Sequence, residues 1–513
     1  MDAPWIQCAT GTADRGRALL YSRWVGLAVL CLLCLVRLLL SAGGTIPPHP
    51  DEAMLWAAGQ PLGAVLGGDH PLVSLILSAS VELLGNTVFA LRAPGVIALG
   101  LASIAVWRLA GLLYDARVAF WAAVVFATLP VVSYASAIAG TAGFLPLFWA
   151  VALHGLLRGL KSDSLVWWLV LGTAFGLGLL TDGAMALLVP CFLLYGLLSP
   201  EYHALWRRRG LWLALGLGLA IAAPAFWAGL LHADLTPQPT PAAGFAFLVA
   251  QVAVFGPIPA TVLAWVALHP GGGAMIGGYG PGDERRAADE RARRGYRIRF
   301  FLSFSLPVVA LATLAAAMGG ALPAEAAAVA YVGGAILVAS WLLTTPLRRG
   351  LLRLCVALHI LGALLFFNLD GLLRDSGLRP PAGLDPFADL RGMDRVAVWG
   401  GELAARYPGV PMIFDDPGIL ASLRFQSHPR STVMVLASAL GGADAIGLGP
   451  APNGILVITR APTGPDTPTP DTPAADTSND EGGRDAGFVD IEAVPGRWIS
   501  LRARFLPPAG EQP

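Results

Sequence analysis

Apolar runs near 20 residues recur through the first 370 positions of this chain, and they decide what it can fold into. A hydrocarbon layer about 30 Å thick offers backbone N–H and C=O groups no water, so runs of that length cross it as helices. Composition points the same way. Of 513 residues, 55% are hydrophobic and only 13% charged, with mean hydropathy +0.64; soluble domains carry roughly 25% charged residues. The chain reads as a multi-pass membrane protein. Its formal net charge of +0 argues against nucleic acid as a partner. Cys8, Cys31, Cys34, Cys191 and Cys355 all lie at the N-terminus or in apolar segments, so the polar C-terminal region can build neither a disulfide framework nor a zinc site. The Cys31-x-x-Cys34 pair lies inside a spanning helix and reads as packing.

Charge asymmetry orients the segments. The first apolar run, about 24–40, follows Arg15, Arg17 and Arg23 and lacks a small-residue cleavage site, so it reads as a retained signal anchor with a cytoplasmic N-terminus (1–21). Basic loops at 108–117, 158–161, 207–209, 285–299 and 348–353 all fall inside if the spans are 22–41, 91–112, 118–136, 142–159, 165–181, 183–199, 211–231, 245–268, 300–318, 325–343 and 351–370. The predicted core, 22–370, is therefore an all-α polytopic membrane domain with about eleven crossings and an external C-terminus. The stretch 71–84 is too short to cross, and it and 53–66 are expected to lie along the outer membrane surface.

This orientation gathers chemistry on one face. His49-Pro50-Asp51-Glu52 and Asp69-His70-Pro71-Leu72 place acids and histidines just after the first span. Membrane-edge acids in so apolar a chain are functional-site candidates; the plainer alternative is a solvated loop. The tip Thr181-Asp182-Gly183, the start of the fourth span at Thr141, and Arg92 at the start of the second span fall on the same side. Arg37 belongs to the outer third of span one.

Two polar pieces remain. Residues 269–299 read as a cytoplasmic loop with a short polar helix. Residues 371–513 read as a small soluble α/β domain, with a helix at 396–407, buried strands at 411–414 and 454–458, an edge or terminal strand at 498–505, and a flexible Pro/Thr/Asp-rich loop at 462–485. No glycine fingerprint follows a strand and opens a helix; Gly271-Gly272-Gly273 and Gly277-Gly278 lack that context. This argues against a nucleotide-driven mechanism.

The order of these motifs resembles the GT-C membrane glycosyltransferases, in particular the protein mannosyltransferases and the bacterial aminoarabinose and galacturonic acid transferases that modify lipid A. Asp51-Glu52 matches their acidic pair after span one. Asp69-His70-Pro71-Leu72 matches an Asp-His-Pro-Pro-Leu motif with one proline missing. Phe89-Ala90-Leu91-Arg92-Ala93-Pro94 resembles the opening of their second span, and Phe301-Leu302-Ser303-Phe304-Ser305-Leu306-Pro307 a late span. Asp385-Pro386 with Leu390-Arg391-Gly392 resembles the start of their soluble tail. The resemblance covers about 20–440. It implies a GT-C fold, a plasma-membrane location with the C-terminal domain periplasmic or extracytoplasmic, a polyprenyl-phosphate-linked sugar donor, and a lipid A, glycolipid or protein acceptor. It also implies that Asp51 is the general base, with Glu52, Asp69 and His70 shaping the same pocket.

Two positions depart from the pattern. Ala142 stands where many relatives carry an aspartate, and Asp182 where many carry a lysine suited to an anionic phosphate. An aspartate repels that phosphate by charge sign. Arg92 is the expected replacement, because guanidinium matches phosphate bidentately, and Arg37 is a second candidate unless it merely snorkels to the headgroups. A divalent cation held by Asp51, Asp69 and Asp182 is another way to reach the phosphate. A transporter or flippase of lipid-linked sugar, and a non-catalytic GT-C-like scaffold, stay open as alternatives.

Overall fold

The computed structural model describes residues 23–43, 48–59, 70–198, 206–230, 241–269, 284–320, 322–377, 387, 390–427, 434–436, 455–460, 484–494 and 497–506. Contacts divide the chain into two units. The first comprises 1–43 and 58–367, the second 44–57 and 368–513.

The first unit is helical. Arg23–Gly43, Val88–Ala110, Asp289–Ala317 and Pro346–Leu373 are each long and apolar enough to cross a membrane. Two further pairs, Ala116–Thr128 with Pro130–Ala137 and Pro241–Phe255 with Pro257–Leu268, qualify only as bent spans, turning by 49° and 113°. Shorter apolar helices include Pro71–Leu84, Leu165–Thr181, Arg209–Pro224 and Ala330–Leu342.

Small residues let these helices approach. On Leu165–Thr181, a Cβ added at Gly172 would meet the Ala214 carbonyl at 2.6 Å, and one at Gly176 would meet Ile221 at 2.7 Å. Gly218, four residues beyond Ala214, presses on Phe175 in the same way. This is the small-xxx-small packing by which helices associate in lipid, where hydrophobicity gives no preference for protein over solvent. A second seam is aromatic. Tyr195 meets Phe300 edge-on at 5.2 Å and Phe192 meets Phe304 at 5.5 Å.

Proline breaks are compensated by side chains. Pro94 lies inside Val88–Ala110 and cannot donate to the Ala90 carbonyl one turn back. Ser80 Oγ from Pro71–Leu84 donates to that oxygen instead, at 2.6 Å. The Phe301–Pro307 motif also marks a break between helices, and there Ser305 Oγ ties the break to a neighbouring helix by donating to the Ala330 carbonyl at 2.7 Å.

The span expected at 245–268 is sharply bent. Gly256 adopts φ 91° and ψ 145°, a region almost restricted to glycine, immediately before Pro257. Together they force the 113° turn, which the even hydrophobicity of the stretch hides. Gln251 and Tyr331 support the elbow: Tyr331 Oη donates to Gln251 Oε1 at 2.6 Å, and Phe255 stacks on Tyr331 at 4.1 Å. The polar helix expected to be short within 269–299 runs from Glu284 to Ser303. Its arginines find partners along it, with Arg297 over the Tyr114 ring at 4.9 Å and paired with Glu290 at 3.7 Å.

The second unit contains a five-stranded sheet ordered β2-β1-β3-β5-β4, formed by β1 Met412–Phe414, β2 Met434–Leu436, β3 Ile455–Arg460, β4 Arg484–Val494 and β5 Arg497–Leu506. β1 runs parallel to β2 and β3, while β5 is antiparallel to both β3 and β4. For 498–505, expected as an edge or terminal strand, the edge alternative is corrected because β4 covers it, while β5 is the last strand described in chain order. β4 includes Arg484 and Asp485, so the predicted flexible loop ends too late; its remainder, through 483, lies outside the described residues. Val396, Leu403, Met412, Phe414, Leu420, Leu456 and Leu501 form the core between the sheet and the helices Met393–Arg406 and Pro417–Ser427. Asp370 and Arg391 join at 3.0 Å.

Candidate active site

Asp51 and Glu52 open the nine-residue helix Pro50–Ala58 of the second unit. Their environments are opposite. Glu52 is fully buried, and its Oε2 accepts from the His49 backbone N–H at 2.6 Å. That is the reciprocal half of a capping box, which uses the third helical residue to satisfy an N-terminal donor. Asp51 side-chain exposure is 75%. Its position in the first turn is stabilised by the helix dipole. His49 Nδ1 lies 3.2 Å from the Asp51 backbone N–H and 3.4 Å from Asp51 Oδ2. A neutral Nδ1 accepts from the N–H, whereas a protonated one donates to the carboxylate. The arrangement leaves one carboxylate committed to holding the helix and the other presented to solvent, where it can take a proton.

In the first unit, His70 and the Asp182 turn come together. His70 immediately precedes Pro71–Leu84, and its Nδ1 is 3.0 Å from the Thr181 carbonyl. That oxygen is one of the unsatisfied carbonyls ending Leu165–Thr181, so the ring nitrogen serves as donor there. Asp182 accepts from the Ala184 N–H at 2.8 Å and caps the following turn. The carboxylate standing where relatives hold a lysine thus has a local structural use. Beside the other departure, Gly143 is closely packed. A Cβ there would be 3.2 Å from Gly95 Cα, so the Thr141–Gly143 turn abuts Val88–Ala110 backbone to backbone. Nothing in the structure explains Ala142 itself.

The two arginines differ from a headgroup anchor. Arg92 is only 3% exposed, so it packs within protein. Arg37 Nη2 donates to the Ala127 carbonyl and approaches Ser133 Oγ at 3.4 Å. The bend at Leu129-Pro130 deprives Ala127 of its helical donor, and Arg37 supplies one. The snorkelling alternative for Arg37 is therefore corrected; its side chain points at the break. Asp69 lies outside the described residues. Among the described residues no three His, Cys, Asp or Glu side chains gather as a metal cluster.

Sequence reasoning missed a cavity of about 580 Å³ lined by residues that include Pro130, Tyr134, Pro257, Glu325, His359 and Phe366. It opens between the two bent helix pairs. A smaller cavity of about 60 Å³ shares Ser133 and His359 with it and also touches Arg37 and Thr128. His359 is buried, and its Nδ1 has no hydrogen-bond partner among the described residues. The walls are mostly apolar, with Ser133, Tyr134 and Glu325 as the other polar side chains, as suits a hydrocarbon chain with few polar groups to orient it. The Gly-Pro pair at 256–257 and Pro130 were the sequence signals for this feature.

Known proteins share sequence and fold with this chain. Residues 69–227 match the family described as dolichyl-phosphate-mannose-protein mannosyltransferase. The lipid A galacturonosyltransferase RgtD of Rhizobium johnstonii is 29% identical over 329 residues, 62% of this chain and 64% of the relative. The match thus spans somewhat under two thirds of that protein's length. The crystal structure of ArnT from Cupriavidus metallidurans in the apo state superposes with a TM-score of 0.53 at 16% identity, covering 94% of this chain and 97% of that one. The chain resembles the GT-C membrane glycosyltransferases. ArnT bound to undecaprenyl phosphate gives the same TM-score at 15% identity, covering 96% and 98%. At such identities the ArnT likeness establishes shared fold. The fold likeness agrees with the mainly helical body and small sheet, and four of the described helices are long and apolar enough to cross a membrane.

Proposed function

We propose that this protein transfers a sugar from a polyprenyl-phosphate-linked donor to lipid A or another cell-envelope acceptor at the outer face of the membrane. The observation that carries the reading is the contrast between exposed Asp51 and buried, capped Glu52 on one short helix. A base must be reachable by the acceptor hydroxyl and must keep a free lone pair. Asp51 meets both needs, whereas Glu52 is buried and its Oε2 is engaged by the His49 N–H.

In this reading Asp51 takes the acceptor proton as the acceptor oxygen attacks the anomeric carbon. The new glycosidic C–O bond forms, the bond from the anomeric carbon to phosphate breaks, and polyprenyl phosphate leaves with the electron pair. Arg92 contributes a cation to the donor phosphate, and guanidinium can engage two of its oxygens. Arg37 is the second cation, though its Nη2 is already engaged at the helix break. The apolar cavity between the bent pairs takes part of the isoprenoid chain. His70 and Asp182 act by fixing the outer ends of their helices, and Glu52 by fixing the helix that bears the base. A plasma-membrane location, about eleven crossings and an extracytoplasmic C-terminal domain complete the proposal.

The relative RgtD suggests the first donor and acceptor to try. Purified protein in proteoliposomes is incubated with polyprenyl-phosphate galacturonic acid and lipid A, and the lipid is read by mass spectrometry. Gain of one hexuronic acid residue supports the proposal. Absence of product with hexuronic acid, hexose and aminopentose donors on lipid A, glycolipid and protein acceptors would contradict it and favour a transporter or a scaffold.

A further inference from the structure

The helix carrying Asp51 is packed by the C-terminal part of the chain. Residues 44–57 group with 368–513, although more than 300 positions separate them in sequence. The contacts are specific. Trp56 is 8% exposed and meets Phe425 edge-on at 5.3 Å with an 81° interplanar angle. A Cβ added at Gly418 would be 3.0 Å from Pro50 Cβ and 3.9 Å from Met54 Sδ. Pro50 directly precedes Asp51, so Gly418 lies under the first turn and Phe425 under the last.

Gly418 and Phe425 share the helix Pro417–Ser427, and that helix is itself fixed to the sheet. Asp416 accepts from the Gly418 and Ile419 N–H groups at 2.8 and 3.0 Å. Arg460 at the end of β3 pairs with the same Asp416 at 2.5 Å. Leu423 packs against Gly400 of Met393–Arg406. A continuous set of contacts therefore runs from β3 through Arg460, Asp416 and Gly418 to Pro50 and Asp51. A nine-residue helix is too short to hold itself in water, so its orientation comes from these contacts.

We infer that the C-terminal domain is a positioning module for the reaction, and that Trp56, Gly418 and Phe425 are positioning residues that aim Asp51. The inference rests on the reading of Asp51 as base. Misplacing a reacting group by about 1 Å can cost ~100-fold in rate, so loosening this support lowers kcat rather than donor affinity.

The test uses the full-length protein with hydrogen exchange across 50–58 and kinetics on polyprenyl-phosphate galacturonic acid and lipid A. Phe425→Ala should raise exchange across 50–58 and lower kcat by about 10- to 100-fold, while donor KM changes less than about twofold. Phe425→Tyr keeps the ring and should restore both. Gly418→Ala needs a shift of only a few tenths of an ångström, so it should fold and produce the same changes more weakly. A folded Phe425→Ala protein with unchanged exchange across 50–58, or with unchanged kcat, overturns the inference. If Phe425→Ala does not fold, unchanged exchange and kcat in Gly418→Ala overturn it equally. Full activity in Asp51→Asn would instead remove the base assignment, and unchanged exchange in the Phe425 variant would still refute the anchoring.

Discussion

At the residue scale, the adjacent acids Asp51 and Glu52 show how much of a site can be read before a fold is known. Their pairing and their place after the first span were legible, but their division of labour was not. It depends on one being buried against the His49 N–H and the other standing out in solvent. Glu52→Ala should therefore destabilise the second unit by about 1–3 kcal/mol, the cost of leaving a buried donor unsatisfied. Glu52→Gln, which keeps an acceptor oxygen, should cost less, and thermal unfolding separates the two. Asp182 was legible as a departure, but its cap to Ala184 was not, because a local cap leaves no trace in spacing. Arg92, the expected cation for the donor phosphate, packs within protein. Arg92→Ala should accordingly weaken donor use strongly, with Arg92→Lys recovering only part, because a point charge lacks the bidentate fork. An unchanged apparent donor affinity in Arg92→Ala would exclude it from phosphate binding.

Elements carry the clearest mismatch between sequence and structure. Long hydrophobic runs such as Val88–Ala110 and Pro346–Leu373 were legible because length and hydropathy suffice. The break at Gly256-Pro257 was not, because both halves are uniformly apolar and periodicity cannot register a turn inside such a run. The second unit was misread at the start of β4, where Arg484 and Asp485 look like the end of a polar loop although the strand pairs antiparallel with its chain neighbour β5. The elbow at Gly256 is tightly fitted. A Cβ there would be 2.4 Å from His359 Nε2, and the backbone already occupies a glycine-only region. Gly256→Ala should lower thermal stability. Adding His359→Ala should relieve the clash but leave the backbone strain, of order 1–3 kcal/mol. Complete recovery in the double variant would show that the elbow carries no such strain.

For the whole molecule, the proposed orientation assigns every strongly basic loop to the cytoplasm and the C-terminal residues to the opposite side. A reporter active only outside the cytoplasm, fused after residue 513, should therefore be active; activity of a cytoplasm-only reporter at the same place would reverse the orientation. The two-unit division gives this sidedness a chemical meaning, since the exposed acid belongs with the C-terminal domain. The most direct test of the account is the transfer rate of Asp51→Asn beside the unaltered protein, in proteoliposomes with polyprenyl-phosphate galacturonic acid and lipid A. The amide keeps the shape of the side chain but cannot accept the acceptor's proton, so product formation should fall by ~10²–10⁴-fold while the protein stays folded in the membrane. Near-normal turnover by Asp51→Asn would contradict it.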